Sequence, residues 1–355
     1  MNVPRAWLFL ASLLPAGAHT AQAEPAAAHG RLVTETLHST VLQDNRIGID
    51  PERRLKVYLP PSYATSGSAY PVVYYLHNAF WDNERMFEDG VVVRRIEQGF
   101  AAGTVREFIL VAADYRSPTT GSLYENSPVS GRWLDYTVGE VVPHIERRFR
   151  TLRGREHRAV VGDFFGGRGA LALGMRNPDV FGVVYAMHPV ATGEGDIPSA
   201  ALDIDWRSIY AAKRYEDVDP NGRARLFVAI SQAFVPNPAR PPFYCDFYMQ
   251  PDGEGFRLDV ETSKALKAGF LLDRSLEASA DNLRSLRGLA FDWGRFDVTQ
   301  AHVKSNRAFS LELENLGIEH EAEEYRGDPW NRTWIEHGRF QDRVLPFLER
   351  HLAFD

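Results

Sequence analysis

The 355-residue chain carries 40 lysine and arginine residues against 47 aspartate and glutamate, a formal net charge of −7 at pH 7, and 44% hydrophobic residues. This composition suits a globular chain with a sizeable core and argues against a nucleic-acid partner, which needs a basic stripe to meet phosphates. Cys245 is the single cysteine, so no internal disulfide can form. With nothing beside it in sequence to lower its pKa, it reads as a small buried hydrophobe rather than a nucleophile.

At the N-terminus, Arg5 precedes an apolar core over residues 6–14 and a small-residue cleavage pattern, Ala21-Gln22-Ala23. This predicts a secretory signal over residues 1–23, cleaved before Glu24, and hence export to the periplasm or beyond. The core is too short to span a bilayer and no later run reaches about 18 apolar residues, so no membrane span is expected. Residues 24–30, rich in alanine, proline and glycine, form a disordered lead, and residues 31–355 form the folded domain.

Residues 34–43 and 54–59 alternate apolar and polar side chains, the pattern of half-exposed antiparallel strands at a sheet edge. The runs at 72–76, 108–113, 159–161 and 183–187 are continuously apolar, as strands covered on both faces are. Helix-length stretches at 136–148 and 167–176 lie between them, the second closed by Asn177-Pro178. Such alternation predicts a doubly wound, mostly parallel α/β sheet with its ligand site at the carboxyl ends of the strands.

The alternation breaks over residues 191–285, read as a cap-like insertion. It contains the loop-forming cluster Pro236-Asn237-Pro238-Ala239-Arg240-Pro241-Pro242, the aromatic group Phe243, Tyr244, Phe247 and Tyr248, and a strand-like run at 224–230. The aromatics either pack the insertion onto the body or line a pocket. The sheet resumes at 289–293, followed by a helix at 302–316, a strand at 321–325 and an amphipathic helix at 339–351. The basic run Arg147-Arg148-Phe149-Arg150 with Arg153 and Arg155 reads as a solvated helix end, the alternative being an anion-binding patch.

The stretch Val160-Val161-Gly162-Asp163-Phe164-Phe165-Gly166-Gly167 passes from strand-like to helix-forming residues through a glycine-flanked turn. This is the form of a G-x-S-x-G nucleophile elbow, whose turn is too sharp for side chains on either flank. Gly162 and Gly166 fill the flanking positions, and Phe164 stands at the apex. Shifting the frame by one residue would make Asp163 a carboxylate nucleophile, but would put Val161 and Phe165 where small residues are needed.

On these residues the chain resembles the putative-esterase family of α/β-hydrolases, which includes feruloyl-esterase-like and esterase-D-like enzymes. The similarity runs from Arg54-Leu55-Lys56-Val57-Tyr58-Leu59-Pro60-Pro61-Ser62-Tyr63 through Tyr70-Pro71-Val72-Val73-Tyr74-Tyr75-Leu76-His77 to Val344-Leu345-Pro346-Phe347-Leu348. It implies an α/β-hydrolase fold and a serine, aspartate, histidine triad in that chain order. By resemblance the serine falls on Phe164. The acid falls on Asp297, the last residue of Asp292-Trp293-Gly294-Arg295-Phe296-Asp297, which otherwise reads as a loop carboxylate capping the helix near His302. The histidine falls on Pro329, after Tyr325-Arg326-Gly327-Asp328. The oxyanion hole falls on the N–H of Phe165 and the loop after His77, here Asn78-Ala79. His337 could loop back toward Asp297, and His188, at a strand end, would stand near the site.

A phenyl ring has no lone pair for attack on a carbonyl. The resemblance therefore implies an esterase-fold protein without serine-type hydrolysis, its pocket either kept for binding a small-molecule or ester-like ligand or a partner, or partly filled by Phe164. Ester hydrolysis or other acid/base chemistry through Asp163, Asp297, His188 or His337 is the alternative, and an interaction module presenting the aromatic insertion is a third. No H-E-x-x-H spacing is present and Asp297 with His302 is a weak ligand pair, so no metal or other cofactor is expected.

Overall fold

The computed structural model describes residues 29–194, 204–219, 223–330 and 332–355. The signal at 1–23 and most of the lead lie outside the described residues. Eight strands of these residues form one sheet: β1 (Arg31–His38), β2 (Glu52–Leu59), β3 (Val72–Leu76), β4 (Ile109–Ala113), β5 (Arg158–Asp163), β6 (Val183–Met187), β7 (Gly288–Gly294) and β8 (Glu321–Tyr325). Their spatial order is β1-β2-β4-β3-β5-β6-β7-β8. β2 pairs antiparallel with both β1 and β4, and every other pairing is parallel. The fold is that of an α/β-hydrolase.

Successive residues of β3 show why its sequence carries no polar alternation. Val72, Tyr74 and Leu76 pack into a core shared with the helical residues Trp133, Ile145, Leu171 and Phe309. Val73 and Tyr75 pack into a second core with Ile96, Phe340 and Leu348. Side chains alternate across a strand, so a strand with helices on both faces must be apolar at every position. The expected helix at 136–148 extends over 133–148, with a π-helical segment at Tyr136–Val141. The first strand ends at His38, earlier than expected, and Ser39 turns to donate to Glu140.

Within the insertion, the strand-like run at 224–230 is instead the start of a helix, Ala224–Phe234. Ala224 and every residue from Phe227 to Ala233 are buried, so the helix is covered on nearly all sides and its dense apolar run does not set it apart from a covered strand. The insertion also holds the helices Trp206–Ala211 and Val260–Phe270 and a two-stranded ribbon, Met249–Asp252 with Gly255–Leu258. Phe243, Phe247 and Tyr248 are buried with Cys245 in a core that joins the insertion to Phe164 and Phe165 of the body. The aromatic group therefore packs the insertion down. The basic run is also occupied: Arg148 pairs with Glu35, Arg153 with Glu146, and Arg150 donates to the Ser66 and Ser68 carbonyls.

Arg168 bolts the insertion to the sheet. Fully buried on the helix Phe165–Arg176, it donates from Nε to the Phe270 carbonyl (2.8 Å) and from Nη2 to that of Gly269 (2.9 Å). These carbonyls belong to a helix end, where intrahelical donors run out. The guanidinium also lies 4.7 Å from the centre of the Phe234 ring. Arg168→Met keeps the apolar stem but strands both carbonyls. It should destabilise the protein by about 3 kcal/mol, read as a lower urea midpoint. An unchanged midpoint would show that water or neighbouring donors replace the guanidinium.

Candidate functional site

Four parallel strands deliver the site residues at their carboxyl ends. β5 runs straight into the elbow, where Phe164 adopts φ 57° and ψ −108°. Its N–H donates to the Met187 carbonyl (3.0 Å) and its carbonyl accepts from the Arg168 N–H (3.0 Å). A Cβ on Gly162 would collide with the Gly166 carbonyl, and one on Gly166 with that of Leu76. The two glycines thus let the turn close against β3. Asp163 is the last residue of β5 and Phe164 alone occupies the strained apex, so the frame that made Asp163 the apex residue does not hold.

The Phe164 ring is 7% exposed. It lies parallel to the His188 imidazole with centres 6.0 Å apart, edge-on to His302 at 5.5 Å, and 4.9 Å from Trp330. A cavity of about 420 Å³ opens beside it, lined by Asn78, Trp81, Asp163, Phe164, His188, Pro329 and Trp330 among others. Ala79 and Phe165 turn away from this cavity into the adjoining core of the insertion. The Phe165 N–H heads the elbow helix, where helices carry donors without intrahelical acceptors.

Asp297 sits beyond the end of β7 and is buried. Its Oδ2 accepts from His188 Nε2 (2.8 Å) and His302 Nδ1 (2.7 Å), and its Oδ1 from the Thr299 N–H (2.7 Å). Burial alone would raise its pKa, but these donors outweigh it and hold the carboxyl well below the usual range. His188, at the end of β6, has φ 43°, and its Nδ1 accepts from the Gly294 N–H (3.1 Å). Burial pushes its pKa down. His302 comes from the first turn of the helix Gln300–Asn315.

His337 does not join this group. Its side chain is exposed, faces Asp342 at 3.5 Å and lines a different surface depression. The tight bend at 332–340, where the Arg339 N–H donates to the Arg332 carbonyl, keeps it there. Sequence reasoning ranked His302 only as a weak ligand partner and passed over Trp330. The five-residue step from a loop carboxylate into a helix start was the available signal for His302, and nothing local marked Trp330.

His188, Asp297 and His302 bring donor atoms within 4.8 Å of one another, a grouping that could hold a metal ion. The protonation pattern does not fit such a ligand set. A backbone N–H can only donate, so His188 Nδ1 must present a lone pair to Gly294, and Nε2 then carries the proton that Asp297 accepts. A metal there would need Nε2 bare.

Asp163 lines the cavity and accepts from Thr333 Oγ1 (3.4 Å). Burial raises its carboxyl pKa to about 7, with Asp292 adding to the rise and Thr333 opposing it. A carboxyl whose folded pKa exceeds its unfolded value contributes stability at acid pH that is lost as pH climbs from about 4 to about 7. Asp163→Asn should remove that decline. Across this window, urea unfolding should show wild type losing about 2 kcal/mol relative to the variant, less than full burial would give because the side chain is partly exposed. Parallel curves would show that the carboxyl titrates normally.

A profile for the family described as "Putative esterase" matches residues 48–231, just over half the chain. The curated protein Esterase Rv1288 of Mycobacterium tuberculosis (strain H37Rv) is 26% identical over 189 residues, covering 49% of this chain and 39% of that protein. The match thus spans about two fifths of that relative's length. Among solved structures, a ferulic acid esterase superposes with a TM-score of 0.61 at 22% identity, covering 91% of this chain and 98% of the other. An S-formylglutathione hydrolase from Agrobacterium tumefaciens gives 0.55 at 14% identity, covering 93% and 98%. At such identities the superpositions speak for the fold alone. The profile match, together with the sheet order and the elbow, shows that the chain belongs to the Putative esterase family.

Proposed function

We propose that this esterase-family protein is exported and uses its cavity to bind a small molecule or ester-like ligand, without serine-type hydrolysis. The observation that carries this reading is the Phe164 ring at the elbow apex, packed 4.9 Å from Trp330 and against the His188 and His302 imidazoles that hold Asp297. Removing one member of a serine triad costs about 10⁴–10⁶ in turnover, and members acting as a unit do not lose additively. The cavity suits an occupant with an apolar, planar part, since Phe80, Trp81, Trp330 and Trp334 line it and Asp163 offers a polar group. Wild type should hydrolyse a panel of p-nitrophenyl and short acyl esters no faster than buffer, and a fluorophosphonate probe should leave it unlabelled. Turnover abolished by Asp297→Ala would overturn the reading.

Acid/base chemistry is the second reading, favoured by the perturbed carboxyl of Asp163 at the cavity wall. It too predicts no fluorophosphonate labelling, but its ester turnover would fall with Asp163→Asn. The interaction-module reading loses its basis, because Phe243, Phe247 and Tyr248 are buried. Export is the reading of the N-terminal signal. Mass spectrometry of the protein from its native envelope should give a chain beginning at Glu24, and an intact Met1 would exclude cleavage there.

A further inference from the structure

We propose that His302 is the base of this site, oriented by Asp297 and shut off from the cavity by Phe164. The inference rests on the reading that Phe164 stands where a hydroxyl would attack, and adds that the proton acceptor has moved within the fold instead of being lost.

The two imidazoles on Asp297 are not equivalent. His188 spends both nitrogens: Nδ1 accepts from the Gly294 N–H and Nε2 donates to Asp297. It has no lone pair left to take a proton, and its role is to hold Asp297 and keep it ionised. His302 presents Nδ1 to the same carboxylate oxygen. An ionised carboxylate only accepts, so Nδ1 carries the hydrogen and the neutral ring keeps the lone pair on Nε2. That is the tautomer a base needs between an acid and a nucleophile, with the carboxylate fixing ring and proton.

The Phe164 ring meets His302 edge-on with centres 5.5 Å apart. Truncating that ring therefore opens a space bounded by the imidazole. Pro329, where the family resemblance puts the base, lines the same cavity and offers no proton acceptor on its side chain. Asp297, in the loop before the helix Gln300–Asn315, and His302, five residues on in its first turn, supply acid and base from one short stretch of chain. One hydroxyl at the elbow would complete the relay.

The test is Phe164→Ser alone, with Pro329 untouched. On p-nitrophenyl acetate, the introduced hydroxyl would pass its proton to His302 Nε2 as its oxygen bonds to the acyl carbon. The tetrahedral adduct then expels p-nitrophenolate with the electron pair of the broken C–O bond, and the proton leaves to solvent. Water then attacks the acetyl carbon, giving a proton to the same Nε2; the second adduct breaks its bond to the elbow oxygen, which takes that proton back as a hydroxyl, and acetate leaves.

The single variant should hydrolyse this ester at least about tenfold faster than wild type and become labelled by a fluorophosphonate. His302→Ala on that background should cut both rates by about 10²-fold or more, while adding Pro329→His should change hydrolysis less than about threefold. A folded but inert Phe164→Ser protein, activity that appears only with Pro329→His, or labelling indifferent to His302→Ala would each overturn the proposal. Should the variant not fold, long-range ¹H–¹⁵N spectra of wild type decide: His302 must show a protonated Nδ1 and bare Nε2 at neutral pH, and the reverse tautomer refutes the assignment. Failure here is distinguishable from failure of the binding reading, which is judged on wild-type turnover.

Discussion

The closeness of approach between β5, its helix and β3 constrains everything else at this site. Gly162 and Gly166 leave no room for a Cβ, so the chain must reverse in one residue, and that residue must take a backbone conformation costing on the order of 1–3 kcal/mol for a non-glycine side chain. Phe164 takes it. The strain is held by hydrogen bonds on both sides of the turn, to Met187 and from Arg168. The same reversal projects the side chain over the carboxyl edge of the sheet, where β6 and β7 bring His188 and Asp297. In a sharp elbow the apex side chain cannot turn back under the sheet, so its chemistry decides what the site can do. An aromatic ring there is a wall, with Trp330 and His188 as its neighbours.

Behind that wall the electrostatics remain organised. A buried carboxylate without partners would take up a proton, yet Asp297 is held ionised by two imidazoles and a backbone N–H. Asp163, which among the described residues receives a hydrogen bond only from Thr333, shows the opposite behaviour: burial raises its pKa to about 7. The two carboxyls differ through the number of donors each receives. A site that had become simple packing would be expected to replace such groups with apolar ones, since a satisfied buried network gains little over well-packed hydrophobic residues.

Two of the contacts that fix the insertion to the body use different physics. Its aromatic core continues into Phe164 and Phe165, so burial joins it directly to the elbow. Arg168, three residues beyond Phe165 on the elbow helix, supplies the directional contact by closing the carbonyl end of Val260–Phe270. The elbow helix therefore serves the cap and the site together, and a change in one is felt by the other through a rigid element.

The sequence by itself determined the doubly covered strands, the glycine-flanked elbow with Phe164 at its apex, and the family, because each is written in local pattern: continuous apolar runs, paired glycines and a helix-forming sequel. It misled at residues 224–230, which read as strand-like because a dense apolar run hides the period of the helix Ala224–Phe234. Which histidines meet Asp297 was decided only by the tertiary structure. His188 lies 109 positions from it and reaches it because β6 and β7 are neighbours in the sheet. His337, nearer in sequence and equally suited in chemistry, is carried to another surface by the bend before the last helix. Hydrogen-bond reach is a matter of a few tenths of an ångström, which strand order and loop path set and residue spacing does not.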